Sequence, residues 1–152
     1  MFAQPRAKTN RVRLLSNFRN LNSKLKHKPY PMPKIREMLL NSEGFLYTMS
    51  LNLNMGYFHI RLFKQAINIC TIILPYGKYR YKRLPMGVSN PPDIFQKKMN
   101  RTFCGFEFIR SYIDDLLIIT RGYWPNHLEK LELTKQNLKN NGLKSHIKTL
   151  SL

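Results

Sequence analysis

The chain has 152 residues, enough for one domain with a sizeable core, and 43% hydrophobic content with nine Phe and eight Tyr excludes wholesale disorder. Its 26 Lys and Arg against 8 Asp and Glu give a formal charge of +18, an imbalance that favours polyanions, above all the phosphates of nucleic acid. The basic residues are not gathered on one amphipathic face, and the longest apolar runs are four residues against the roughly 18 of a membrane span, so no membrane partner is expected.

Cys70 and Cys104 are too few and too far apart for a disulfide framework or a zinc site. His27, His59, His127 and His146 lack ligand spacing and read as surface or packing residues. Residues 1–10 have no apolar secretory core, so the chain is expected inside the cell, in cytoplasm or nucleus, and not secreted.

In chain order, residues 1–10 read as irregular, 11–18 as a loosely alternating strand, and 19–30 as a basic loop. Pro31 and Pro33 introduce a short helix whose apolar face is Ile35, Met38 and Leu39. Residues 45–53 alternate as a strand, with Phe45, Tyr47, Met49, Leu51 and Leu53 on one face. Asn54, Met55 and Gly56 break it, and residues 57–63 continue as an extended or short helical path. Residues 67–74 and 78–84 read as a hairpin across Pro75, Tyr76 and Gly77. A loop over residues 84–92 launches a helix that Ser89 or Asn90 can cap and that keeps Ile94, Phe95, Met99 and Phe103 at helical spacing. The last helix is expected from Asn126, with Glu129 completing a capping box, a stripe of Leu128, Leu131 and Leu138, and Gly142 as its stop. Hairpins and helices interleave without regular βαβ alternation, which places the chain in the α+β class.

Two adjacent carboxylates, Asp114 and Asp115, sit between the largely apolar segment 106–113 and the apolar run 116–119. The pattern is a β-hairpin with an acidic tip. They are two of only three Asp in the chain, and a doubled carboxylate suits a hard cation such as Mg²⁺, usually held by carboxylates together with substrate phosphates. An Asp-Asp turn is the plain alternative.

Taken together and in order, the segments 51–62, 83–96 and 112–115, preceded by 13–22, resemble the reverse transcriptase domain of gypsy-type long-terminal-repeat retrotransposons. The resemblance covers nearly the whole chain. It implies a reverse-transcriptase-like fingers and palm fold: an antiparallel sheet backed by helices, with fingers elements mainly in 1–44 and 64–84 and palm elements mainly in 45–63 and 85–152. It implies template-directed nucleotidyl transfer with two Mg²⁺ ions, a nucleic acid template-primer and a deoxynucleoside triphosphate as partners, and Asp114 and Asp115 as catalytic metal ligands. Lys8 and Arg13 fall where fingers cations meet the triphosphate, Tyr57 at the sugar-sensing aromatic, and Met86 and Gly87 on the nucleotide and template side. A plainer alternative stands beside each: Tyr57 as packing, Met86 as the filler of a core gap, and Arg13 as one solvated charge among 26.

The departures are specific. The first catalytic Asp of the family is Asn52 here, a neutral amide and a poor ligand for a hard divalent ion, so this copy is expected to be impaired. A second family Asp reads as Asn17, and 14 Asn stand against 3 Asp overall. In the last motif the family lysine aligns with Thr149, beside Lys148. No thumb, connection or ribonuclease H pattern follows, so the chain reads as a partial domain of a decayed retroelement. The alternative is a non-enzymatic remnant that only binds nucleic acid. The oligomeric state is not legible.

Overall fold

The computed structural model describes residues 2–6, 9–40, 44–53 and 55–151. Its elements are strands β1 (Phe2–Arg6) and β2 (Thr9–Leu15), helices α1 (Arg19–Asn22) and α2 (Ile35–Leu40), strand β3 (Tyr47–Leu53), a 3-10 turn (Gly56–His59), helix α3 (Lys64–Ile69), strands β4 (Thr71–Leu74) and β5 (Gly77–Arg80), helix α4 (Pro91–Thr102), strands β6 (Ile109–Tyr112) and β7 (Asp115–Thr120), helix α5 (Trp124–Asn140) and strand β8 (Ser145–Ser151). They fall into two units, Met1–Pro29 with Tyr57–Pro91 and Tyr30–Gly56 with Pro92–Leu152. The fold is α+β, with antiparallel sheets and helices as the sequence pattern implies.

The second unit is built on a four-stranded sheet in the order β6-β7-β3-β8. The alternation of β3 buries Met49, Leu51 and Leu53, and β7 answers with Leu116, Ile118 and Thr120. Phe95, Met99 and Phe103 of the α4 segment complete the core, with Leu131 and Leu138 of α5. Removing one such aliphatic side chain from water stabilises by roughly 1.5–3 kcal/mol, so this face fixes the register of β3 against β7. A slip of one residue would turn Leu51 and Leu53 to the open face.

The expected stripe of α5 is corrected. Leu128 is 43% exposed, and the buried line runs His127, Leu131, Thr134, Leu138, so polar residues occupy two of its positions. Each has its reason. Thr134 Oγ1 donates to the Lys130 carbonyl at 2.7 Å, and Thr120 Oγ1 lies 2.8 Å from His127 Nδ1. The helix also starts earlier than expected, at Trp124, with Pro125 in its first turn and no side-chain cap; Asn126 lies inside it. Gly142 does follow the helix end, with φ of 65°.

Burial holds the His127 imidazole below its ordinary value, and the nearby Lys130 ammonium adds to the effect. The ring stacks on Trp124 at 5.6 Å and lies 5.8 Å from Tyr47, and its buried Nε2 has no hydrogen-bond partner among the described residues. A protonated ring would bury an unmet donor. The folded state therefore binds fewer protons than the unfolded chain below the ordinary histidine value, and stability falls as pH drops from about 6.5 through the folded value. We expect the melting temperature to fall between pH 7 and pH 5, and to fall less in His127→Gln; equal slopes would remove His127 as the cause.

The first unit holds two hairpins, β1 with β2 and β4 with β5. Three expectations are corrected here. Residues 2–6 form a strand, not an irregular lead: pairing with β2, Phe2 opposite Leu15 and Gln4 opposite Arg13, supplies what the local pattern lacks, and the register breaks beside Pro5, which cannot donate to a ladder. Residues 19–22 form one helical turn, and Asn17 Oδ1 accepts from the Arg19 backbone N–H at 3.1 Å. Residues 64–69 are helical, so the second hairpin is shorter than expected, Thr71–Leu74 against Gly77–Arg80. In the second unit, residues 145–151 form an edge strand that the sequence pattern did not announce.

Candidate active site

The acidic tip forms where expected. In the register of β3 with β7, Asn52 lies directly opposite Asp115. The Leu53 backbone N–H donates to the Asp114 carbonyl at 2.7 Å, which ties the tip to the end of β3. Asn52 Nδ2 donates to Asp115 Oδ1 at 2.8 Å. The amide thus presents its donor end to the carboxylate, the reverse of a metal ligand.

The tip itself is strained. Ile113 has φ of 50°, a left-handed conformation that a β-branched residue rarely adopts. Gln96, fully buried on α4, stabilises it. Its Oε1 accepts the Ile113 backbone N–H at 2.7 Å, while Nε2 donates to the Ser111 carbonyl at 3.0 Å and to Asn100 Oδ1 at 2.9 Å. Sequence reasoning assigned Gln96 no role. The available signal was a polar residue directly after Phe95, beside the apolar stripe.

Gly56 is a second residue whose part was missed. A Cβ built there would collide with Asp114 Oδ1 and lie 2.8 Å from Cζ of Phe95, itself fully buried. Glycine at 56 leaves the space in which the Asp114 carboxylate sits.

The donor set is short of the family's three carboxylates. Among the described residues, no group of three or more His, Cys, Asp or Glu side chains is placed to hold a metal ion. Asp114 and Asp115 suit a hard divalent cation, but the hydrogen-bonded Asn52 amide does not, so the full two-ion set is not met.

The remaining candidates among the described residues, Arg13, Tyr57, Met86 and Gly87, lie in the other unit. Lys8 is outside the described residues; Arg13 is on β2, opposite Gln4. Tyr57 belongs to the 3-10 turn, and Met86 and Gly87 to the loop before α4. That loop is clamped by one side chain: Asn22 Nδ2 donates to the Gly87 carbonyl at 2.8 Å, and Asn22 Oδ1 accepts the Ser89 N–H at 2.9 Å. Gly87 has φ of 102°, and a Cβ there would come within 2.6 Å of the Ser16 carbonyl, so the loop requires glycine. Phe18 and Tyr81 pack edge to face at 6.0 Å beneath it, with Ser16 Oγ 2.8 Å from the Tyr81 hydroxyl.

Charge divides sharply between the units. The first has 14 of the 26 Lys and Arg and none of the 8 Asp and Glu; the second has 12 basic and all 8 acidic residues. Most of the +18 therefore resides in the unit that holds the Met86–Gly87 loop.

A family model described as reverse transcriptase (RNA-dependent DNA polymerase) matches residues 5–148. The Pol polyprotein of the Drosophila melanogaster transposon opus is 32% identical over 141 residues, 88% of this chain and 14% of that polyprotein. That of the transposon gypsy, from the same organism, is 33% identical over 111 residues, 71% of this chain and 11% of the polyprotein. The chain thus spans a small part of the relatives it matches. Among solved structures, the foamy viral protease-reverse transcriptase in complex with RNA/DNA hybrid is similar with a TM-score of 0.81 at 19% identity, over 99% of this chain and 20% of that one. With the model match running almost end to end and transposon polyproteins at about a third identity, the chain belongs to the reverse transcriptase family, as the domain found in retroelement polyproteins.

Proposed function

We propose that this chain is a fingers and palm portion of an RNA-directed DNA polymerase that keeps the nucleic-acid-binding surface but is impaired in nucleotidyl transfer. The observation that supports this best is the Asn52 amide donating to Asp115 at 2.8 Å, where the family has a carboxylate that binds metal. In this reading the first unit holds most of the fingers segments and the second most of the palm segments, although 30–44 falls in the second unit and 57–63 and 85–91 fall in the first.

Divalent ions, if bound, would supply activation of a primer hydroxyl and charge stabilisation of a leaving pyrophosphate. Here Asp114 and Asp115 would be the residues left to hold Mg²⁺. Arg13 and Lys8 would face the triphosphate of the incoming nucleotide, Tyr57 its sugar, and Met86 and Gly87 the nucleotide and template, on the loop that Asn22 clamps. The alternative, a remnant that binds nucleic acid without chemistry, is favoured by a separate observation: the absence of any Asp or Glu from the first unit does not depend on the tip.

Primer extension on an RNA template, with Mg²⁺ or Mn²⁺, tests the proposal alongside binding of the same template-primer. The expected result is retained binding, with log K falling by about 0.9 per neutralised duplex phosphate as log salt rises, and no measurable extension. Robust extension by the parent chain would overturn the impairment. Salt-insensitive binding would overturn the polyanion surface.

A further inference from the structure

The β4–β5 hairpin has an unusual surface. Tyr76 at its turn is 87% exposed and Ile73 is 81% exposed, in a unit with no carboxylate at all. The register places Ile73 opposite Lys78 and Thr71 opposite Arg80, so these four share one face, while Ile72 and Tyr79 pair on the other. Lys78 and Arg80 are both exposed, two residues apart and therefore about 6.8 Å along the strand, a step comparable with that between successive phosphates of an extended strand. Arg80 spends one guanidinium N–H on Asn68 Oδ1, at 3.1 Å, and keeps other donors for a ligand.

An exposed ring at the turn of a hairpin that also carries two exposed cations fits unpaired nucleic acid better than a duplex. Bases already stacked in a duplex offer no face to Tyr76, whereas a single strand offers one at every nucleotide, and its backbone follows a positive track. A protein partner is disfavoured, because Lys78 and Arg80 flank the apolar residues and would have to be desolvated with them.

We propose that the Ile73–Tyr76–Lys78–Arg80 surface of this hairpin holds an unpaired nucleic-acid strand, with a base stacked on Tyr76 and phosphates on Lys78 and Arg80. The proposal rests on the nucleic-acid reading above and narrows it to an unpaired segment and a particular surface. Tyr79, on the opposite face, serves as an internal control.

Fluorescence anisotropy with a labelled oligothymidylate and a blunt duplex of equal length, using the full chain, tests it. Tyr76→Ala should weaken single-strand binding about tenfold, leave duplex binding unchanged, and be rescued by Tyr76→Phe, while Tyr79→Ala changes neither. The double variant Lys78→Ala/Arg80→Ala should lower the single-strand salt slope by about 1.4, at roughly 0.7 per phosphate. If the parent binds neither oligonucleotide, the nucleic-acid reading and this proposal both fall. If it binds but Tyr76→Ala has no effect, or weakens both ligands equally, only the hairpin assignment falls. Tyr76 is at an exposed turn, and an unchanged melt of each variant separates binding from folding.

Discussion

Asn52→Asp is expected to tighten Mg²⁺ binding at the hairpin tip by at least about 10–100-fold, the range that loss of even an outer partner of a metal ligand typically covers. The substitution keeps side-chain size and replaces a donor with an acceptor. Without metal, it removes the 2.8 Å Asn52–Asp115 hydrogen bond and sets a new carboxylate against Asp115, so the metal-free variant should melt below the parent. Added Mg²⁺ should reverse that loss in the variant and do little in the parent. Calorimetric Mg²⁺ titration of parent, Asn52→Asp and an Asp114→Asn control, each followed by a melt with and without the ion, reads both effects. Equal affinities for parent and Asn52→Asp would show that position 52 is not where the ligand was lost.

Gly56→Ala is expected to destabilise the chain by about 1–3 kcal/mol, the usual cost of forcing a methyl group into a filled site. The new Cβ would meet Asp114 Oδ1 and the Phe95 ring, 2.8 Å away. Asp114 is a short side chain and can rotate aside, but Phe95 is fully buried and cannot move without repacking the core. The same substitution placed in the Asn52→Asp background should lower Mg²⁺ affinity, because the carboxylate that yields is a proposed ligand. A denaturant melt together with the titration separates the two consequences. An unchanged midpoint would mean that the space at 56 is larger than the geometry indicates.

What could be read from the sequence follows how local its cause is. The period-two burial of Met49, Leu51 and Leu53, the helical spacing of Phe95, Met99 and Phe103, and the acidic tip between apolar runs are all written within a few residues. Strands β1 and β8 are not: one contains Pro5 and the other is polar at most positions, and both form because a partner strand distant or opposite offers its ladder. Thr134 was illegible as core and His127 legible only as a surface or packing residue, because their polarity hides them; the Lys130 carbonyl that satisfies Thr134 and the Thr120 hydroxyl beside His127 Nδ1 belong to the folded chain. The site shows the same limit. Asp114, Asp115 and Asn52 could be named from residue type and order, while Gln96 and Gly56 act through a hydrogen bond and a vacancy that only tertiary structure creates.

The separation of charge has a kinetic meaning. Encounter with a polyanion is steered by long-range potential, and in this chain that potential originates mainly in a unit with 14 cations and no anions, whereas the chemistry proposed above would be confined to a tip bearing two of the other unit's 8 acidic residues. On that reading capture and turnover would draw on different residues, and mutational drift could erase one while sparing the other. On the proposed reading, an amide at position 52 would alter what happens after arrival and leave the rate of arrival almost untouched, so a lineage that lost polymerisation in this way would still collect nucleic acid as fast as an active ancestor.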